Sequence, residues 1–65
     1  MKYEYFIVYS VALPNGNGVG NIVVTVDGEI DSLESIREVE ATIAKIVGSG
    51  SIVITNFRLL KTEKV

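Results

Sequence analysis

Between Lys2 and Leu13, large apolar side chains occur at both odd and even positions. The odd set is Tyr3, Tyr5, Ile7, Tyr9, Val11 and Leu13; the even set is Lys2, Glu4, Phe6, Val8, Ser10 and Ala12. Successive side chains of a strand point to opposite faces, so this segment predicts a strand apolar on both sides. Such a strand belongs at the centre of a sheet, with a helix on one face and something else on the other. Pro14 ends it, having no backbone N–H to donate. Asn15-Gly16-Asn17-Gly18-Val19-Gly20 predicts the chain reversal, because glycine and asparagine supply turn conformations. Asn21 to Val26 is rich in β-branched residues and predicts the returning strand of a hairpin. Its even positions, Ile22, Val24 and Val26, are uniformly aliphatic and mark its core side.

Asp31 to Glu34 has the form of a capping box, with Ser32 as the other candidate cap. Leu33, Ile36, Val39, Ile43 and Val47 follow at helical spacing, widened by Ala44 and Ile46. Gly48-Ser49-Gly50 predicts the end of this helix. Ser51 to Leu60 predicts a third strand, and residues 61–65 a frayed tail. A crossover of this length delivers a strand parallel to the one it left. The third strand therefore runs antiparallel to the first when it pairs beside it. The expectation is one α+β domain over residues 1–65: ββαβ, a three-stranded antiparallel sheet of order 2-1-3, with one helix packed on one face.

The helix-facing set is expected to be Phe6, Val8, Ile22, Val24, Val26, Ile52 and Ile54. The opposite face then presents Tyr3, Tyr5, Ile7, Tyr9, Val23, Thr25, Val53, Thr55 and Phe57. One helix cannot cover both sides of a sheet, and a large open apolar surface marks an interaction site. Those nine residues are the expected interface.

Composition narrows the function. With 65 residues the chain is near the lower limit for an unstapled core. It has no cysteine and no histidine, which leaves no disulfide framework, no thiolate metal site and no imidazole base. No catalytic, metal-binding or cofactor-binding residue is assigned, and an enzyme is not expected. Hydrophobic residues make up 48%, so a domain this small gains from burying further apolar area in a homodimer. The net charge of −2 argues against nucleic acid as a partner. Asp27, Glu29, Asp31, Glu34, Glu38 and Glu40 against Arg37 alone predict an acidic side, read as a solvated helix face or as a dock for a basic protein surface. No secretory signal and no membrane-length apolar run is visible, which predicts a cytoplasmic protein with no membrane partner.

Three motifs invite chemistry. Gly16-Asn17-Gly18-Val19-Gly20 has the glycines of a phosphate loop but precedes a strand and lacks a lysine, so a turn explains it better. Asp27, Glu29, Asp31 and Glu38 match positions 1, 3, 5 and 12 of a calcium loop, but Ser32 stands where glycine is needed. Tyr3, Tyr5 and Tyr9 on one face suit a protein interface. Stacking against single-stranded nucleic acid or a nucleotide is the alternative.

Gly18-Val19-Gly20-Asn21, Ile36-Arg37-Glu38-Val39-Glu40 and Ile54-Thr55-Asn56-Phe57-Arg58-Leu59-Leu60 together give the chain a resemblance. It resembles the very small proteins encoded by phages and prophages of Gram-positive bacteria, over most of its length. Some proteins of that kind inhibit host proteins, antiviral defence systems among them. What the resemblance implies is an accessory binding protein with a possible host partner; it transfers no functional residue.

Overall fold

The first strand has a neighbour on each side, as its two-sided composition requires. In the computed structural model, which describes residues 1–48 and 51–64, the elements are β1 (Lys2–Leu13), β2 (Gly16–Val26), α1 (Leu33–Val47) and β3 (Ile52–Glu63). The three strands form one antiparallel sheet of order β2-β1-β3, and α1 packs on one face. The α+β class and the strand order are those expected. Ser49 and Gly50, expected to help end the helix, and Val65 of the expected tail lie outside the described residues.

The hairpin is tighter than its glycines suggest. Leu13 pairs with Gly16 across Pro14 and Asn15 alone, and Gly16 takes a φ of 140° that favours glycine. Gly18 and Gly20 are therefore strand residues. A Cβ on Gly20 would lie 2.6 Å from the Tyr9 hydroxyl oxygen, so that glycine lets the tyrosine ring lie across β2. At the other end β3 runs further than expected. Lys61, Thr62 and Glu63 pair with Glu4, Tyr3 and Lys2, and the frayed tail does not include them.

The two-residue turn decides which residues share a face. Leu13 opposite Gly16 sets an odd sum, so each odd residue of β1 stands opposite an even residue of β2: Tyr5 opposite Val24, Ile7 opposite Ile22. Directly paired residues project to the same side. The aliphatic row of β2 therefore joins the tyrosine row of β1, and this is the row that α1 covers. Tyr5, Ile7, Tyr9, Val11, Val24, Ile30, Val39, Ile43 and Ile52 form the core. The expected placement of Phe6 and Val8 under the helix is thus inverted.

Along β3, the register with β1 shifts between Val8 and Tyr9 and again between Glu4 and Tyr5. The first shift leaves Thr55 as an extra residue, which reverses the alternation. Ile52, Ile54, Phe57 and Leu59 consequently all point to the helix side, where strict alternation would have split them.

Ser32 is the N-cap of α1, its hydroxyl accepting from Ser35 N–H at 3.1 Å, while Ser35 Oγ accepts from Ser32 N–H at 3.0 Å. This reciprocal box is made one residue later than Asp31–Glu34. Gly48 closes the helix in the left-handed conformation, φ 82°, its N–H donating to Ala44 O. Val39 and Ile43 are buried, with Ile36 and Ala44 against them. Leu33 and Val47, the first and last helical residues, are exposed.

Strands of 12 residues extend about 40 Å, whereas a 15-residue helix extends about 22 Å. The molecule measures 42 × 19 × 18 Å, so α1 covers only part of even its own face.

Candidate protein interface

The expected interface residues fall on two different faces. Tyr5, Ile7 and Tyr9 are 4%, 0% and 9% exposed, and Tyr3 packs partly buried against the same core. Phe57 lies beside them, its ring edge-on to Tyr5 at 5.9 Å. The Tyr5 hydroxyl accepts from Ile30 N–H at 2.9 Å, which satisfies a buried phenol and ties the loop before α1 to the sheet. A stacking platform for nucleic acid needs exposed rings; Tyr5 and Tyr9 do not offer them. Val23, Thr25 and Val53 are exposed on the opposite face, and Thr55 is exposed at the bulge, its hydroxyl donating to Val8 O at 3.2 Å.

The face without a helix is built around Phe6 and Val8 of β1. Val23 stands opposite Phe6, and Val19 and Val53 both stand opposite Ser10. Val19, Val23 and Val53 are 79%, 51% and 52% exposed. Asn21 and Asn56 flank Val8, Arg58 flanks Phe6, and Thr25 and Lys61 flank Glu4. The face thus has an aliphatic and aromatic centre with an amide and charged border. At one end Lys61 bonds Glu63 at 3.0 Å, and that bond holds the Lys61 ammonium above the usual lysine range.

Sequence patterning missed Glu40. It is 7% exposed on α1, with Oε1 accepting from Arg37 Nη1 at 2.8 Å and Oε2 from Ile54 N–H at 2.8 Å. It pins the helix to β3 beside the bulge, a role legible only once the register shift is known. The remaining acids scatter. Asp27, Glu29 and Glu38 border an open groove of about 450 Å³ between the end of β2 and α1, floored by Val26, Ile30 and Val39. Lys2 bonds Asp27 and holds its carboxyl below the usual aspartate range. Among the described residues no three His, Cys, Asp or Glu side chains are grouped so as to hold a metal ion, and no helix is long and apolar enough to cross a membrane.

Comparison with protein-family models, curated proteins and solved structures finds no match.

Proposed function

We propose that this is a non-enzymatic protein-binding protein that works as a homodimer and presents its open sheet face to a partner. One observation carries the reading: Phe6, Val8, Val19, Val23 and Val53 form an apolar patch that no element of the described chain covers. Contiguous exposed apolar area of this kind marks interaction sites on small proteins. The resemblance to small phage-encoded proteins points to a bacterial host protein as the partner, with inhibition of a defence protein as the role.

The test is affinity capture from a Gram-positive bacterial extract with the wild-type chain and with Val8→Lys plus Val53→Lys. Both side chains lie on the open face and outside the core, so the variant should keep its far-ultraviolet circular dichroism. A protein retained by the wild type and lost by the variant supports the reading. Identical captured sets would remove the open face from it.

A further inference from the structure

We infer that β2 pairs antiparallel with the β2 of a second copy about a two-fold axis at Asn21, joining two three-stranded sheets into one of six strands. This rests on the homodimeric reading above and says how the dimer is built. The ladder shows which backbone groups are available. Ala12 N–H donates to Ser51 O at 3.1 Å on the β3 side, so even residues of β1 turn their backbone groups toward β3 and odd ones toward β2. Even residues of β2 answer them. Asn17, Val19, Asn21, Val23 and Thr25 therefore direct their N–H and C=O groups away from the sheet, along an edge with no strand beside it.

Edges of this kind are blunted in stable monomers by charge, proline or bulges. The β3 edge has such protection: two register shifts, Arg58, Lys61 and Glu63 within the strand, and Glu40 bonded to Ile54 N–H. β2 has none. Its sequence, GNGVGNIVVTV, holds no charge and no proline, and its pairing with β1 runs without a shift from Gly16 to Val26.

The strand is complementary to its own reverse. In a register centred on Asn21, all of Gly16 to Val26 is paired, and outward-bonding residues meet outward-bonding residues. Val19 stands opposite the second copy's Val23, and the three glycines stand opposite Val26, Val24 and Ile22. Each bare position of one copy thus faces a β-branched side chain of the other. Asn21 meets itself, amide against amide. An isologous pair also closes, because both outer edges are then the protected β3; β2 against β3 would propagate. The axis of such a pair is perpendicular to the sheet. Both helices fall on one side and the two open faces join on the other.

The experiment is light scattering at micromolar concentration, with circular dichroism, on the wild type, Asn21→Pro and Asn21→Lys. Proline removes one outward N–H at a position that donates nothing to β1; lysine keeps the backbone and sets like charges face to face across the axis. The expected result is a wild-type mass of twice the 7.1 kDa chain and loss of the dimer in both variants with the fold retained. Should proline disturb the strand, the lysine variant alone decides. A wild-type dimer unchanged in Asn21→Lys overturns the β2 interface and leaves the homodimeric reading standing. A wild-type monomer at high micromolar concentration overturns both, and a mass that grows with concentration means propagating edges and overturns the closed pair.

Discussion

β2 and β3 flank the same central strand, yet they are built in opposite ways. β3 is irregular and charged, with a buried carboxylate from α1 on one of its amides. β2 is regular and uncharged, and two of its residues on the covered side, Gly18 and Gly20, are glycines that make room for side chains of β1. The difference teaches that one edge is finished within the chain and the other is not. A strand with full, evenly spaced outward hydrogen-bonding capacity is a pairing surface, whereas a bulged and occupied one is an end.

The largest effect should come from what the two edges share. Ile7 is fully buried in β1, paired with Ile22 on one side and Phe57 on the other. Ile7→Ala should cost about 2–5 kcal/mol in urea denaturation, comparable with the whole stability of a small domain. Phe6→Ala, one residue away on the open face, should cost far less. Equal losses would mean that both faces are covered.

The next three substitutions act on one edge or the other. Gly20→Val places a Cβ 2.6 Å from the Tyr9 hydroxyl oxygen and 2.7 Å from the ring, so Tyr9 must leave its position over β2. The expected cost is about 3 kcal/mol, at the upper end for overpacking, with a changed tyrosine near-ultraviolet signal. Gly18→Ala, whose new contacts are side-chain ends at 3.2 and 3.4 Å, should be milder. On the other edge, Glu40→Ala leaves Ile54 N–H without its acceptor and should cost about 2 kcal/mol. Amide exchange should then quicken at Ile54 while the inward amides of β2 keep their protection. Loss of protection in both strands would show that the edges are not independent.

The smallest effect is electrostatic and sits at the end of β2. Lys2 lowers the Asp27 pKa in the folded chain, so the bond stabilises the fold above the unfolded aspartate value. That contribution disappears as pH falls through the depressed folded value. Asp27 is fully exposed, so the contribution is small and salt-sensitive. Asp27→Asn should slightly lower the neutral region of a stability profile measured at low ionic strength, flatten its acid limb, and leave the region below the depressed value unchanged.

Much of this architecture is legible in the sequence, and the inverted part has a definite cause. The two-sided apolar composition of Lys2 to Leu13 is enough to place β1 at the centre, and the three-and-four spacing of Ile36, Val39 and Ile43 is enough to place the helix. The face assignment depends on register. Read as a loop, Asn15 to Gly20 leaves the register open; read as a two-residue turn at Pro14-Asn15, it puts Tyr5 opposite Val24. The glycines misled because the same residue serves turns and close packing under a tyrosine ring. Thr55 misled for another reason. A bulge moves every later side chain to the other face, and nothing in Ile54-Thr55-Asn56 announces it. Glu40 follows from that bulge, since the amide it accepts from is exposed by the shift.

The most direct measurement of the difference between the edges is residue-resolved amide exchange along β2 as a function of protein concentration. Exchange rates of Val19, Asn21 and Val23 should fall as concentration rises from dilute to high micromolar, while those of Gly18, Ile22 and Val24, bonded to β1, stay slow throughout. Rates for Val19, Asn21 and Val23 that remain fast and independent of concentration would contradict the account, because the bare edge would then face only water.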